Sequence, residues 1–172
     1  MKTTEQTTGV SALKHGEMVM DRYHDLYGWL CNGAQLTMRW RLPSWLMNSS
    51  LHEWLVAQLP SLEVSDMYQL YHDCGKPYCL TIDADGRRHF SGHALVSKNK
   101  WLSLSGDADV VELIGMDMDI HTLRPESVSE FASRRFAVLL LLTGLCEIHA
   151  NAEMFGGFES DSFKIKWKKI EQ

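Results

Sequence analysis

The sequence predicts a mainly α-helical domain with a small β-hairpin or sheet at one edge, and three observations carry that reading. Apolar residues recur at helical spacing over residues 11–30 and again along a long stretch closed by Gly156-Gly157. Two serines followed three residues later by glutamate, Ser50 with Glu53 and Ser127 with Glu130, have the pattern of a reciprocal helix cap. A central region alternates as strands do, on either side of Asp83-Ala84-Asp85-Gly86.

In chain order, the first helix carries Met18, Val19, Tyr23, Leu26, Trp29 and Leu30, stops at Asn32-Gly33, and sets His15 on the face of Met18, Val19, Arg22 and Leu26. Arg39-Trp40-Arg41-Leu42-Pro43 reads as short and irregular. Ser50 opens a helix with Leu51, Trp54 and Leu55 that ends before Pro60. Ser65 caps a helix through Met67, Leu70 and Tyr71 that delivers His72 and Asp73 in its last turn, with Gly75 as a left-handed exit. Tyr78, Leu80 and Ile82, then residues 87–90, form the hairpin. Residues 91–100 are a short helix containing His93, and 107–122 a longer one on which Asp117 and His121 share a face. Ser127 starts a long apolar helix through Leu139, Leu142 and Cys146 toward Met154. In the tail, Phe163-Lys164-Ile165-Lys166-Trp167-Lys168 alternates apolar and basic residues and reads as a strand.

At 172 residues and 45% hydrophobic composition, the chain has the size of one domain with an ample core. We expect a single domain over residues 1–172, with its core at 11–155 and a strand-like tail at 158–172. A net charge of −5 excludes a protein that is basic all over, so contact with nucleic acid must be a local patch. The candidates are Arg39-Trp40-Arg41 and the lysines of 164–169 around Trp167, because basic and aromatic residues together suit single strands. Cys31, Cys74, Cys79 and Cys146 form no Cys-x-x-Cys pair and read as reduced packing residues. Residues 1–8 lack the apolar stretch of a signal peptide, and the longest apolar run, 136–142, is far short of a membrane span. The expectation is a soluble, cytoplasmic protein without a membrane partner.

The chemistry concentrates at Tyr71-His72-Asp73-Cys74-Gly75-Lys76-Pro77, where a histidine and a carboxylate stand side by side and a glycine and a lysine follow. Imidazole and carboxylate suit a divalent Zn, Mn, Fe, Co or Ni ion. Of the cations near this run, Lys76, Arg87, Arg88 and Lys98, the first is best placed for a substrate phosphate. Glu147 and His149 lie in an apolar helix, where polar groups need partners, so they are either ligands or a hydrogen-bonded core pair.

Helical His15, then His72-Asp73, then Gly92-His93, then Asp117 and a late helix with Glu147 and His149 resembles the HD-domain metal-dependent phosphohydrolases over residues 11–155. Within that family, His72 to Lys76, the Asp-Gly hairpin and His89-Phe90-Ser91-Gly92-His93 are most similar to the HD domain fused to tRNA nucleotidyltransferases. The resemblance implies a helical HD bundle holding one or two divalent metal ions. It implies His15, His72 and Asp73 as ligands, His93 as the first extra ligand of the two-metal members, and Asp117 in place of their next histidine. His149 aligns with the closing aspartate, where the family has an Asp-Ala pair. The function implied is hydrolysis of a phosphomonoester or 2′,3′-cyclic phosphate on a nucleotide or a nucleic-acid end, with Asp73 positioning water and Lys76 neutralising phosphoryl charge. The alternative is a non-catalytic HD-like module that binds a nucleotide or a protein partner without turnover.

Overall fold

The first helix, α1 (Ala12–Asn32), stops as expected at Gly33, which takes φ 63°. The computed structural model describes residues 1–7 and 9–172; Thr8, in the polar start at 1–8, lies outside the described residues. The architecture is mainly α with two small two-stranded sheets. The chain divides into two compact units, Met1–Met18 with Ser61–Met118, and Val19–Pro60 with Asp119–Gln172, so α1 contributes to both.

Unit 1 begins with a hairpin of β1 (Glu5–Thr7) and β2 (Val10–Ser11), which continues directly into α1. After α2 (His52–Ala57), which belongs to unit 2, come α3 (Leu62–Tyr71), the single turn α4 (Lys76–Cys79), the antiparallel pair β3 (Thr81–Ile82) and β4 (Arg88–His89), α5 (His93–Leu104) and α6 (Ala108–Gly115). Helix α6 packs on α3 and α5, and α4 on α5, around Tyr68, Cys74, Trp101, Leu113 and Ile114. The hairpin forms around its Asp-Gly turn, with Gly86 at φ 77°, but Tyr78 is helical rather than part of the strand.

Unit 2 contains α2 (His52–Ala57), α7 (Asp119–Thr122), α8 (Val128–Ala132), α9 (Ala137–Met154) and α10 (Asp161–Glu171). Its core is α9, whose Leu139, Leu140, Leu142, Leu145, Cys146 and Ile148 are fully or almost fully buried. Helix α9 has the length and hydropathy of a membrane span, yet 67% of it is buried within the protein. The four cysteines are free thiols.

Several local expectations are corrected. The tail is helix α10, not a strand: the Ser160 side chain accepts from Phe163 N, and Phe163 and Ile170, seven residues apart, share the buried face. Ile165, which an alternating strand would turn inward, is 62% exposed. The cap before α2 is Asn48, on the short 3₁₀ turn Ser49–Leu51, not Ser50; Ser61 rather than Ser65 caps α3, accepting from Val64 N. Ser127 makes no side-chain cap, and α8 is separate from α9 because Ser133 bonds back to the Glu130 carbonyl and closes the turn. The helix expected over 107–122 stops at Gly115, so Asp117 and His121 do not share a helical face.

Candidate metal centre

Two glycines bring the site together by close approach rather than by unusual φ. At Gly16 a Cβ would lie 2.4 Å from the Leu70 carbonyl oxygen, so only glycine lets the start of α1 rest on the last turn of α3. That contact sets the His15 ring edge-on to His72, with centroids 5.5 Å apart. At Gly75, which is right-handed at φ −81° and not the expected left-handed exit, a Cβ would lie 2.3 Å from Ser97 N. Gly75 N instead donates to Ser97 Oγ at 2.8 Å, pinning the turn after Asp73 against α5.

His72 is the C-cap of α3, and its Nδ1 lies 2.7 Å from the Gln69 carbonyl. His93, at the start of α5, lies in the same way 3.0 Å from the Phe90 carbonyl. A carbonyl only accepts, so each Nδ1 carries a proton and each Nε2 is directed elsewhere. Both reach Asp73: His72 Nε2 is 3.2 Å from Oδ2 and His93 Nε2 is 3.5 Å from Oδ1. A backbone-held Nδ1–H with Nε2 turned to the site is the arrangement that orients metal-binding histidines.

The two oxygens of Asp73 are used differently. Oδ2 accepts from Lys76 Nζ and Gln6 Nε2, both at 2.6 Å. Oδ1 is buried and accepts no hydrogen bond among the described residues. A buried anionic oxygen in that state has room for a further partner, a donor, a water or a metal ion. Burial alone raises the pKa of Asp73, but the charge around it, from His72, Lys76 and His15, outweighs that and holds the carboxyl well below the usual range. Asp117, in the bend after α6, is buried and accepts from Tyr68 Oη at 2.9 Å. His72, Asp73 and Asp117 each offer a ligand atom, all within 4.8 Å of one another. These nitrogen and oxygen donors fit a borderline divalent ion.

Five of the residues expected at the site therefore gather with Lys76 in unit 1: His15, His72, Asp73, His93 and Asp117. No family model, curated protein or solved structure matches the chain. The site is read from its own chemistry.

The expected closing ligand, His149, is different. It is fully buried in unit 2, with Nδ1 2.7 Å from the Leu145 carbonyl and Nε2 accepting from Arg41 N at 3.0 Å, so neither nitrogen is left for a metal. Desolvation, reinforced by the charge of Arg22, lowers its pKa to about 4. Glu147 pairs with His121 in the same unit. Of the other cations, Arg88 pairs with Glu5, and the stem of Lys98 lies against Gly115.

Sequence reasoning missed Gln6 and Tyr68. Gln6 sits in a polar stretch whose one signal was the turn at Gly9, too weak to show that it delivers an amide to Asp73. Tyr68 did carry a signal, since it precedes His72 by four residues and so shares its helical face.

Proposed function

We propose that the protein is an HD-type metal-dependent phosphohydrolase acting on a nucleotide or nucleic-acid-end phosphate. The observation that supports this most is Asp73, a buried carboxylate with one oxygen held by Lys76 and Gln6 and the other facing His93 without a hydrogen bond. His15, His72, Asp73 and Asp117 are the residues to hold a divalent ion, with His93 available to a second. When bound, such an ion acidifies water at neutral pH and withdraws charge from a phosphoryl oxygen.

The chain's own residues do the rest. Gln6 and Lys76 fix the Asp73 carboxylate in one rotamer, so that its other oxygen keeps a constant direction. The side chains of Lys76 and His93, 11% and 16% exposed, are the more open members of a cluster whose carboxylate is 1% exposed, so phosphate approaches on their side. The Lys76 ammonium gives one N–H to Asp73 and lies 5.3 Å from the Phe90 ring centroid. A further N–H donates to a phosphoryl oxygen as its charge grows in the transition state.

The test is Lys76→Ala. Metal content should stay near the wild-type value, because a carboxylate released from its lysine still ligates, while turnover falls by about 10²-fold or more. The alternative, an HD-like module that binds without turnover, is favoured by the absence of a free ligand at His149. It gains the field if folded, metal-loaded protein releases no phosphate from nucleotides, cyclic nucleotides or 3′-phosphorylated ends with Mn, Co, Ni or Zn supplied.

A further inference from the structure

The Arg39-Trp40-Arg41 segment and helix α10, two basic stretches that the metal centre does not use, lie against each other within unit 2. Trp167 Nε1 donates to the Arg41 carbonyl at 3.2 Å, Glu171 accepts from Ser44 N at 3.0 Å, and Trp45 Nε1 donates to the Ile170 carbonyl at 2.9 Å. The segment is thereby tied along one side of the helix. Each arginine lies over a ring: Arg41 is 4.0 Å from the Trp167 centroid and Arg39 is 4.8 Å from that of Phe158. Both arginines are exposed, as are Lys164 and Lys168, one turn apart on α10.

The rings are backed by the core. Phe158 stacks on Phe163 at 4.7 Å, and both meet the buried His149 edge-on, so Phe158 turns no free face to a ligand. What the ridge presents instead is guanidinium. A guanidinium over a ring keeps its outer face and its N–H edge for other partners, and both arginines are exposed. The edge matches phosphate oxygens bidentately, and the outer face is a platform for an unpaired base. Arg39 and Arg41 are two apart in the chain and each lies over its own ring, so the pair presents two phosphate-matching forks to one strand. One anion already occupies this ground. Glu159, whose side chain is 84% exposed, pairs with Lys164 at 3.1 Å; that hydrogen bond and charge, with the charges of Arg41 and Arg39, hold its carboxyl below the usual range.

We infer that the ridge formed by Arg39, Arg41, Lys164 and Lys168 is a binding surface for single-stranded nucleic acid, with Glu159 standing in for a phosphate until the strand displaces it. This surface goes beyond the catalytic reading and is tested without turnover.

The experiment measures fluorescence anisotropy of a labelled single-stranded RNA of mixed sequence with the full chain in EDTA, across a salt series. Wild type should bind the single strand more tightly than a duplex of the same length. The double variant R39A/R41A should bind at least about tenfold more weakly, with the slope of log K on log salt reduced by about 1.4, two phosphates at single-strand counterion release. R39K/R41K keeps the charge but not the stacked fork, and should recover only part of the affinity. Glu159→Gln should tighten binding, a gain that no folding defect imitates. The inference is overturned if the duplex or heparin binds as well as the single strand, or if R39A/R41A binds as wild type, or if Glu159→Gln leaves affinity unchanged. A protein that binds the strand but releases no phosphate when metal-loaded defeats the phosphohydrolase reading and leaves this one standing.

Discussion

His72 and His93 in unit 1 and His149 in unit 2 begin from the same device and end in different chemistry. Each has Nδ1 held by a carbonyl three or four residues earlier in the chain. What differs is the group in front of Nε2. For His149 it is the backbone N–H of Arg41, which completes a neutral, buried imidazole; for His72 and His93 it is the Asp73 carboxylate, itself short of a partner at Oδ1. The second nitrogen's neighbour thus decides whether a buried histidine is structural or a candidate ligand, and neither residue type nor local helix geometry does so.

The strongest break in this comparison is at Asp73. Asp73→Ala should abolish stoichiometric metal binding, measured by elemental analysis after dialysis, whereas His149→Gln should leave metal content at the wild-type level. Equal metal loss in the two variants would erase the distinction between the sites. Asp73→Ala should also destabilise the fold, by about 3–5 kcal/mol, since it strips a buried carboxylate from Lys76 and His72.

Next is the pH dependence of stability that His149 imposes. Its pKa falls from the ordinary 6.5 to about 4 on folding, so the unfolded chain binds the proton more readily. Its contribution, on the order of 3 kcal/mol, is complete above pH 6.5 and is lost as pH falls through 4. Denaturant titrations of wild type and His149→Gln should therefore differ in slope between those pH values and run parallel above them. Parallel curves throughout would mean that the imidazole is not held neutral.

The smallest effect expected is at Gln6, whose amide donates to the oxygen of Asp73 already shared with Lys76. Gln6→Ala should weaken metal affinity by about tenfold, the low end for a residue that orients a ligand, with melting temperature in the metal-free form nearly unchanged. Calorimetric titration with Zn or Mn gives the number, and an affinity equal to wild type would remove Gln6 from the site.

Much of this was legible in the residues. The helical periods of α1 and α9, the Asp-Gly hairpin and the joint placement of His72, Asp73 and Lys76 follow from neighbours within a few positions, where the chain's own geometry dictates what can meet. His15, His93 and Asp117, far apart in the sequence, lie in the same unit as His72-Asp73. Tertiary structure alone decided the rest. Alternation of lysine with apolar residues in 163–168 is compatible with strand or helix, and the choice fell to helix because Phe163 and Ile170 find a common apolar neighbour in α9. Whether Gly75 serves φ or close approach depends on Ser97, twenty-two residues away. The role of His149 depends on an N–H supplied 108 residues earlier, and that of Asp73 on the amide of Gln6, 67 residues earlier. A sequence shows which groups need partners; which partner arrives across so long a separation is settled only when the chain packs.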